Sequence, residues 1–557
     1  MFNLTKIICT IGPTSNSPEM LKKLMLSGMD IARLNFSHGK HEDHLANIIN
    51  IRKISEELNL PVAILADLQG PKIRVAKLPG GPIELTDDKE VIITTRLDPA
   101  PEELTLIPTV YKNLPKDVKP GSRILFDDGL LEVSVLSVKS ETDVLCRVVK
   151  GGTLKEKKGI NLPGVDVSAP AVTPQDFADL DFAIKNGVDF VALSFVRHAS
   201  DIDEVKAVIH KNGLDTPVIA KIERPEAVTN FDNILKACDA VMVARGDMGV
   251  EMPPEKVPHI QKTLIKKCAL AGKPVIVATQ MLDSMIKNPM PTRAEVSDVA
   301  NAILDGADAI MLSGETASGK YPLEAVTMMS KIADEIEGLV FKNKHRDTDG
   351  LLNPLHSTAD SLCHATIHAA YESKARMIVT YTESGFTSLL VSKYRPSVPI
   401  LAITTSETIC RRINLYWGVM PIVIQAVSST DEMIAKAEDA AILKGGLKHG
   451  DNIVITGGIP VGKAGTTNMM KIHKITRTPL TESLCGVKTY GCPKTGVSIN
   501  LTAERCTACG RCVLGCAMKI YGYQNGKIYI NEENLEKCAG EGLCEKCCPF
   551  SAIKIKK

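Results

Sequence analysis

The chain has 557 residues, of which 44% are apolar, and a formal net charge of +1. At roughly 100–200 residues per domain, that length fits about three to five domains. The balanced charge excludes the global basic bias of a protein built to bind nucleic acid or a membrane surface. Met1-Phe2-Asn3-Leu4-Thr5-Lys6 shows no signal-peptide pattern, and no apolar run is long enough to span a bilayer. The expected location is therefore cytoplasmic, with neither nucleic acid nor membrane as a partner.

In chain order, eight short runs rich in Val, Ile, Ala and Leu read as strands: 6–12, 30–36, 61–68, 189–195, 217–223, 240–247, 274–280 and 309–315. Continuous apolar runs of this length suit strands buried on both faces. Helical patterns, such as 17–27 and 202–210, separate most of them. The alternation predicts an α/β fold with a (β/α)8 TIM barrel over 1–70 and 167–342. Between the third and fourth runs, residues 71–166 are rich in Pro, Gly and short alternating runs, for example 90–95, 123–126 and 129–159. This stretch is expected to be a small inserted β-barrel placed as a lid over the barrel's active face.

Residues 345–353 are polar, with Pro354 just beyond, and read as a linker. A second α/β pattern covers 355–477, with short strands expected at 376–382, 398–404, 420–425 and 451–456. It fits an open-sheet domain of ordinary size. The last stretch, 485–557, differs in composition. Of 16 cysteines, six are scattered from Cys9 to Cys410 and ten fall between Cys485 and Cys548. Scattered cysteines are usually buried small hydrophobes. A dense block in a reducing compartment reads as metal binding.

Active sites of such barrels sit at the C-terminal ends of the strands. Polar residues gather there: Arg33, Asn35, Ser37 and His38 after the second run, Asp67 after the third, Lys221 and Glu223 after the fifth. Arg245-Gly246-Asp247, Thr279-Gln280 and Ser313-Gly314-Glu315 follow the sixth, seventh and eighth. Glu223 and Asp247 would offer hard oxygen ligands to Mg²⁺ (or Mn²⁺), which takes one or two protein carboxylates plus substrate oxygens and water. Lys221 lies on the same side of its strand as Glu223. Its ammonium would stabilise a developing enolate or a moving phosphoryl group. Arg33 and Arg74 would add anion contacts, and Gly246 would let backbone N–H groups approach a carboxylate. The plainer reading of any one of these is an ion pair on a barrel rim; the set as a whole points to a site.

At these residues the chain resembles the pyruvate kinase family. The resemblance rests on Lys6-Ile7-Ile8-Cys9-Thr10-Ile11-Gly12-Pro13, Ala32-Arg33-Leu34-Asn35-Phe36-Ser37-His38-Gly39, Ala220-Lys221-Ile222-Glu223 and Ala244-Arg245-Gly246-Asp247-Met248-Gly249-Val250-Glu251. Ala278-Thr279-Gln280-Met281-Leu282 and Pro291-Thr292-Arg293-Ala294-Glu295 complete it. With the domain layout it covers about 1–477 and implies phosphoryl transfer from phosphoenolpyruvate to ADP, usually in a homotetramer. By that resemblance Glu223 and Asp247 hold Mg²⁺, Lys221 stabilises the phosphoryl group and the enolate, and Arg33 contacts phosphate. Thr279 stands near enolate protonation, Gly246 and Asp247 cradle the pyruvate carboxylate, and Asn35, His38, Arg74 and Lys158 serve the nucleotide. An Mg²⁺-dependent lyase of 2-oxo acids, or a barrel that has lost catalysis, are the competing readings. The intact residues and the lid favour the kinase.

Two regions carry finer expectations. Family members that need K⁺ hold it near the counterparts of Asn35, Ser37 and Asp67 and carry Glu in the position of Lys72. Leu68, Gln69, Lys72 and Val75 resemble the K⁺-independent subgroup, in which the Lys72 ammonium would supply the missing positive charge. Thr382-Glu383-Ser384-Gly385-Phe386-Thr387 resembles the family's effector phosphate loop, with Thr382, Ser384, Gly385 and Thr387 as its ligands. It is acidic at Glu383 and has no Lys or Arg inside it. That composition points to a sugar monophosphate or AMP rather than fructose 1,6-bisphosphate.

The tail contains Cys506-x2-Cys509-x2-Cys512-x3-Cys516, the spacing of bacterial-type [4Fe–4S] ferredoxins. A second set, Cys538-x5-Cys544-x2-Cys547-Cys548-Pro549, departs from it in the x5 gap and in the adjacent cysteines. By resemblance one cluster would use Cys506, Cys509, Cys512 and Cys548, and the other Cys516, Cys538, Cys544 and Cys547. Two clusters, one cluster, and zinc or no metal all remain open. Cys485 and Cys492 are left over and read as free thiols. Phosphoryl transfer is redox-neutral, so the tail would sense redox state, dock or exchange electrons with a ferredoxin-coupled partner that uses pyruvate, or aid assembly.

Overall fold

The computed structural model describes residues 3–78, 80–96, 104–165, 167–343, 357–460, 467–476, 487–502, 512, 516, 518, 520–524, 527–538, 544–545 and 552–556. The expected linker at 345–353 with Pro354 lies outside the described residues, as do Cys485, Cys506, Cys509, Cys547 and Cys548.

Eight parallel strands close into a barrel: β1 (Lys6–Thr10), β2 (Ile31–Asn35), β3 (Ala63–Asp67), β4 (Phe190–Leu193), β5 (Val218–Ile222), β6 (Ala240–Ala244), β7 (Val275–Ala278) and β8 (Ala309–Leu312). Each pairs with its chain neighbours, and β8 returns to β1. Alternate residues point inward and form one apolar stack, with Ile8, Ile31, Ala63, Leu65, Phe190 and Ala192 among its members. The opposite residues pack outward against the surrounding helices. The expected runs 240–247 and 309–315 overshoot. The apolar signal stops at Ala244 and Leu312, and the next polar residues already open the helices Arg245–Glu251 and Gly314–Ala317.

Between β3 and β4 lies the insert. It forms a six-stranded sheet in the order Ile160–Asn161, Arg123–Phe126, Leu131–Val138, Asp143–Lys150, Glu90–Thr94 and Thr105–Pro108, plus a ribbon pairing Ile83–Leu85 with Gly152–Leu154. It has its own core, including Val91, Ile93, Phe126, Val133 and Val148. The two edges of the six-stranded sheet are joined by residues 73–76: Arg74 bridges Gly159 beside Ile160–Asn161, and Val75 bridges Thr109 beside Thr105–Pro108. The Ile160 N–H donates to the Ile73 carbonyl at 2.9 Å and the Ala76 N–H to the Pro108 carbonyl at 2.8 Å, so the sheet closes on itself as the sequence suggests. The insert rests on the barrel mouth: Asn161 Nδ2 donates to Glu251 Oε1 at 2.9 Å and Arg224 Nη2 to the Val165 carbonyl at 3.2 Å.

The second domain is an open five-stranded sheet in the order Val419–Val423, Ile400–Thr404, Met377–Tyr381, Asn452–Gly458 and Thr467–Lys474. The first four are parallel, as the sequence pattern predicts. The fifth is antiparallel and was not anticipated, because its mixed sequence and largely unburied side chains give little apolar signal. In the tail, Ser498–Thr502 pairs on one side with Val487–Gly491 and on the other with Ile553–Lys556. Along the chain, these outer strands lie before and after the cysteines from Cys492 to Cys548.

The second domain closes the N-terminal end of the barrel. Leu415 caps the inner apolar stack, with Tyr416 against it. Around this plug, Lys6 Nζ donates to the Val419 carbonyl at 2.7 Å and Asn414 Nδ2 to the Pro61 carbonyl at 2.6 Å. Arg395 pairs with Asp308 at 2.8 Å. Asp189, fully buried, accepts from the Ile64 N–H at 2.8 Å, from Arg52 at 2.7 Å and from Arg411 of the second domain at 2.8 Å. Breaking a buried pair by removing one partner costs about 3–5 kcal/mol, because the other charge is stranded. Asp189→Ala is therefore expected to lower the thermal unfolding midpoint markedly. Arg411→Ala, which removes a partly exposed partner, should lower it less; equal, small shifts for both would show that the interface does not depend on this carboxylate.

Candidate active site

The inward-facing stack is apolar until the last step of each strand, where it turns polar. Two residues beyond Ile8, Ile31, Leu65, Ala192 and Ile219 stand Thr10, Arg33, Asp67, Ser194 and Lys221. Strand periodicity alone therefore delivers five polar side chains to one layer at the barrel mouth.

Asp67 is the hub. Arg33 Nε and Nη2 meet its Oδ2 at 2.7 and 2.6 Å, and Arg33 Nη1 donates to Thr10 Oγ1 at 2.9 Å. Lys221 Nζ approaches Asp67 Oδ1 at 3.2 Å and Glu223 Oε1 at 3.0 Å, and it donates to Ser194 Oγ at 2.6 Å. Ser194 in turn donates to the Leu68 carbonyl at 2.7 Å. Glu223 Oε2 accepts the Phe195 N–H at 2.8 Å. Arg33, Asp67, Lys221 and Glu223 are all buried.

Burial alone would favour the neutral forms, and the mutual pairing decides otherwise. Burial pushes Asp67 up, but Lys221 and Arg33 together outweigh it and hold the carboxyl below the usual range. Burial pulls Lys221 down, but Asp67 and Glu223 reverse this and lift it above an ordinary lysine. Glu223 is raised: burial leads, Lys221 opposes, and the nearby Asp247 adds to the rise. Two carboxylates close enough to repel each other form an oxygen pair that a hard divalent cation would relieve. Among the described residues no group of three His, Cys, Asp or Glu side chains is placed to hold a metal ion. Mg²⁺ needs only one or two protein carboxylates, so Glu223 with Asp247 fits it.

The loop after β7 is strained. Thr279 and Gln280 have φ of +70° and +54°, a region that a β-branched residue enters at a cost of about 1–3 kcal/mol. Arg245 holds the loop, donating to the Thr279 carbonyl at 2.9 Å while paired with Asp298 at 2.7 Å. Thr279 Oγ1 accepts the Gly246 N–H at 2.7 Å, and a Cβ on Gly246 would sit 3.2 Å from that oxygen. The Thr279 hydroxyl and the start of the Arg245–Glu251 helix are therefore one unit, placed beside Asp247.

Cationic side chains gather near His38. His38 is pulled below the ordinary imidazole value by partial burial and then by Arg74, Lys72 and Arg33. Asn35 Oδ1 accepts the Ser37 N–H at 3.2 Å, which shapes the turn that carries His38. Arg74 donates to the Lys157 carbonyl at 3.1 Å, and Lys158 pairs with Asp127 at 2.7 Å, both within the insert. The Asp127–Gly129 turn comes down near Val250, so the insert overhangs the Arg245–Glu251 helix.

A family profile described as "Pyruvate kinase, barrel domain" matches residues 2–326, and one described as "Pyruvate kinase, alpha/beta domain" matches 360–473. The chain belongs to the pyruvate kinase family. The pyruvate kinase of Geobacillus stearothermophilus is 49% identical over 476 residues, which span 85% of this chain and 80% of the relative. That of Staphylococcus aureus (strain MRSA252) is 48% identical over 474 residues, with the same coverage. A crystal structure of a pyruvate kinase from Cryptosporidium parvum superimposes with a TM-score of 0.79 at 39% identity, covering 85% of this chain and 96% of that one. The enzyme class is thus pyruvate kinase, a glycolytic phosphotransferase acting on phosphoenolpyruvate and ADP. Both profile matches end before the cysteine block.

Sequence reasoning missed Thr10 and Ser194 in this pyruvate kinase. Neither is charged, and each ends an apolar strand in an unremarkable way. Counting two residues on from the last inward apolar side chain finds both. The effector loop lies elsewhere, in the second domain. Gly385 has φ of +89°, and the Thr382 N–H donates to the Ile403 carbonyl at 2.9 Å. Ser384 is exposed, but the Thr387 hydroxyl is buried and bonded to that of Thr467 at 2.7 Å. In the tail, Cys512, Cys516, Cys538 and Cys544 share one small core with Ile499, Tyr521 and Ile553, and Cys492 belongs to it too.

Asp67→Asn leaves Arg33 and Lys221 without the charge that holds them. Activity is expected to fall at least about a hundredfold, the scale of losing one preorganised electrostatic contact, with a lower unfolding midpoint. A variant within threefold of the parent would remove Asp67 as the positioning hub. The sign with pH follows from the depressed carboxyl: its stabilisation is complete above the ordinary Asp range and is lost only as pH falls through the lower folded value.

Proposed function

We propose that this pyruvate kinase moves the phosphoryl group with Arg33, Lys221 and Thr279, needs no K⁺, and carries an iron–sulfur tail. The observation that carries the catalytic part is the buried network in which one carboxylate, Asp67, holds both Arg33 and Lys221 toward a common space. Lys221, kept fully protonated by Asp67 and Glu223, faces charge as it develops on the enolate and on the moving phosphoryl group. Arg33 orients the phosphate of the substrate. Glu223 and Asp247 would hold Mg²⁺, which when bound supplies positive charge to substrate oxygens. Thr279, pinned in a strained backbone, stands next to Gly246 and Asp247, where the substrate carboxylate would lie and its enolate be protonated. The rim of Asn35, His38, Arg74 and Lys158 suits the ADP phosphates, and the overhanging insert suits a lid that excludes water.

The domain limits that go with this reading are 1–70 with 167–342 for the barrel, 71–166 for the lid, 355–477 for the effector domain and 485–557 for the tail. A cytoplasmic homotetramer is the expected form. No described helix is long and apolar enough to cross a membrane. The effector would be a monophosphate at Thr382, Ser384 and Gly385, where Ser384 is exposed and Gly385 makes a left-handed turn. Thr387 supports the loop through Thr467 rather than offering its hydroxyl.

Independence from K⁺ is supported by the position of Lys72. Its Cε lies 3.5 Å from where a side chain on Gly159 would begin, and its charge reaches His38. A Lys72 ammonium beside His38 would supply the positive charge that K⁺ supplies elsewhere in the family. In the tail, the described cysteines form no disulfide and converge in one core. The buried Tyr521 hydroxyl stands among Cys512, Cys516 and Cys544 and is aimed at Cys544, as suits a donor facing a sulfur-rich site. A cubane spreads its four thiolates over separate corners, so its ligands need not converge on one point as those of a single ion do. The proposed clusters are Cys506, Cys509, Cys512 and Cys548 for one, and Cys516, Cys538, Cys544 and a further thiolate, Cys547 by resemblance, for the other. A redox-sensing, docking or electron-transferring role follows only if the clusters are present.

Two measurements test this. Rates from phosphoenolpyruvate and ADP should be full in Na⁺ or Tris salts, and Lys72→Glu should make the enzyme depend on K⁺; a large, saturable K⁺ activation of the parent chain would overturn the monovalent-cation reading. Protein purified without oxygen should contain roughly eight irons with matching sulfide per chain. Zinc or no metal would leave the tail as a structural or docking module.

A further inference from the structure

The second cysteine set looks irregular only when its cysteines are counted. Counted by position, it keeps the ferredoxin period. Cys538-x2-Glu541-x2-Cys544-x3-Cys548-Pro549 has the same x2, x2, x3 spacing as Cys506 to Cys516, with Glu541 in the second place. The x5 gap is then two ordinary gaps with the middle cysteine replaced. Cys547 becomes an insertion one residue ahead of the regular Cys548, and the half that starts at Cys538 lacks one thiolate.

A thiol from outside the motif shares a core with the motif's described cysteines. Cys492 directly follows the strand Val487–Gly491, which packs on the short 3-10 helix Glu532–Lys537 leading into Cys538. The turn after it is fixed: the Cys492 N–H donates to the Val497 carbonyl at 2.8 Å, and the Gly496 N–H donates to the Cys492 carbonyl at 3.0 Å. Its side chain is only 1% exposed and lies in the same core as Cys538 and Cys544. The Cys492 side chain lies against that of Cys538 in this core and feels Cys544 electrostatically, as Cys544 feels Cys516. Cys492, Cys538, Cys544 and Cys516 thus share one core, although no three of them converge on a point as the ligands of a single ion would.

We infer that Cys492, rather than Cys547, is the fourth thiolate of the second [4Fe–4S] cluster, completing a set with Cys516, Cys538 and Cys544. Each of the four loses its thiol proton to solvent on ligation, and no electron is exchanged in that step. The assignment rests on the iron–sulfur reading of the tail. It replaces the free-thiol reading of Cys492 and makes the second cluster depend on a strand that precedes both motifs.

The test compares iron, acid-labile sulfide and the EPR spectrum of the reduced full chain, prepared without oxygen, for the parent, Cys492→Ala and Cys547→Ala. Cys492→Ala should drop from roughly eight irons to about four, or to about seven if a three-iron cluster survives, while Cys547→Ala keeps the parent's iron and spectrum. Cys492→Ala with the parent's iron and spectrum would overturn the assignment and leave the iron–sulfur tail standing. A parent without iron would remove the tail reading, and this inference with it. If Cys492→Ala loses all its iron, Cys492→Ser, which keeps the side chain's size, decides. A shifted signal from one cluster supports oxygen ligation at that position, and an unchanged spectrum rejects it.

Discussion

Asp67 binds two cations in a layer shut off from water, and this arrangement sets the terms for the rest of the site. Arg33 and Lys221 come from strands that are not neighbours, and Ser194 and Thr10 complete their contacts. Desolvating these groups costs several kcal/mol each, so the set is tolerable only when every member is paired. The requirement works in both directions. The barrel must close to bring β2, β3 and β5 together, and once it is closed the cations have little freedom. Preorganised charge of this kind does not have to reorient as the reaction proceeds, which is where electrostatic catalysis gains most of its effect.

The period of two along the strands explains how much of this was legible. An inward residue is apolar through the barrel's depth and becomes polar at the mouth, so Arg33, Asp67, Lys221 and Glu223 stand out as charges at the ends of apolar runs. Thr10 and Ser194 obey the same period but carry no charge, and composition alone passes over them. The strand limits near Ala244 and Leu312 were blurred for the same reason: the polar residues that follow belong to helices that start at once, and a sequence reading cannot separate a strand's last residue from the first residue of such a turn. The antiparallel strand Thr467–Lys474 was illegible for the opposite reason. It sits at a sheet edge, where little burial is required, so it bears no apolar run.

The two ends of the barrel divide the work. At the C-terminal end, strain at Thr279 and crowding of like charge at Glu223 and Asp247 are tolerated because they are useful there. At the N-terminal end the contacts are stabilising: an apolar plug from Leu415 and Tyr416, ringed by Asp189–Arg411, Asp308–Arg395 and the buried Lys6. A ligand that shifts the second domain would therefore act on the barrel floor, through the same strands whose upper ends hold Arg33 and Asp67.

The tail follows a different rule. Its sheet is small, and five described cysteines contribute to its core in place of larger apolar side chains. A module of about seventy residues seldom stabilises itself on so little apolar burial, and small domains of this kind usually rely on metal or cross-links. No disulfide links the described cysteines, and the tail's first and last strands belong to one sheet. If iron–sulfur clusters supply the missing stability, losing them unfolds the module rather than merely discharging it. Because phosphoryl transfer needs no electron, the tail's influence on the kinase would then pass through its folded or unfolded state, as a change of surface or assembly, and not through the chemistry at Lys221.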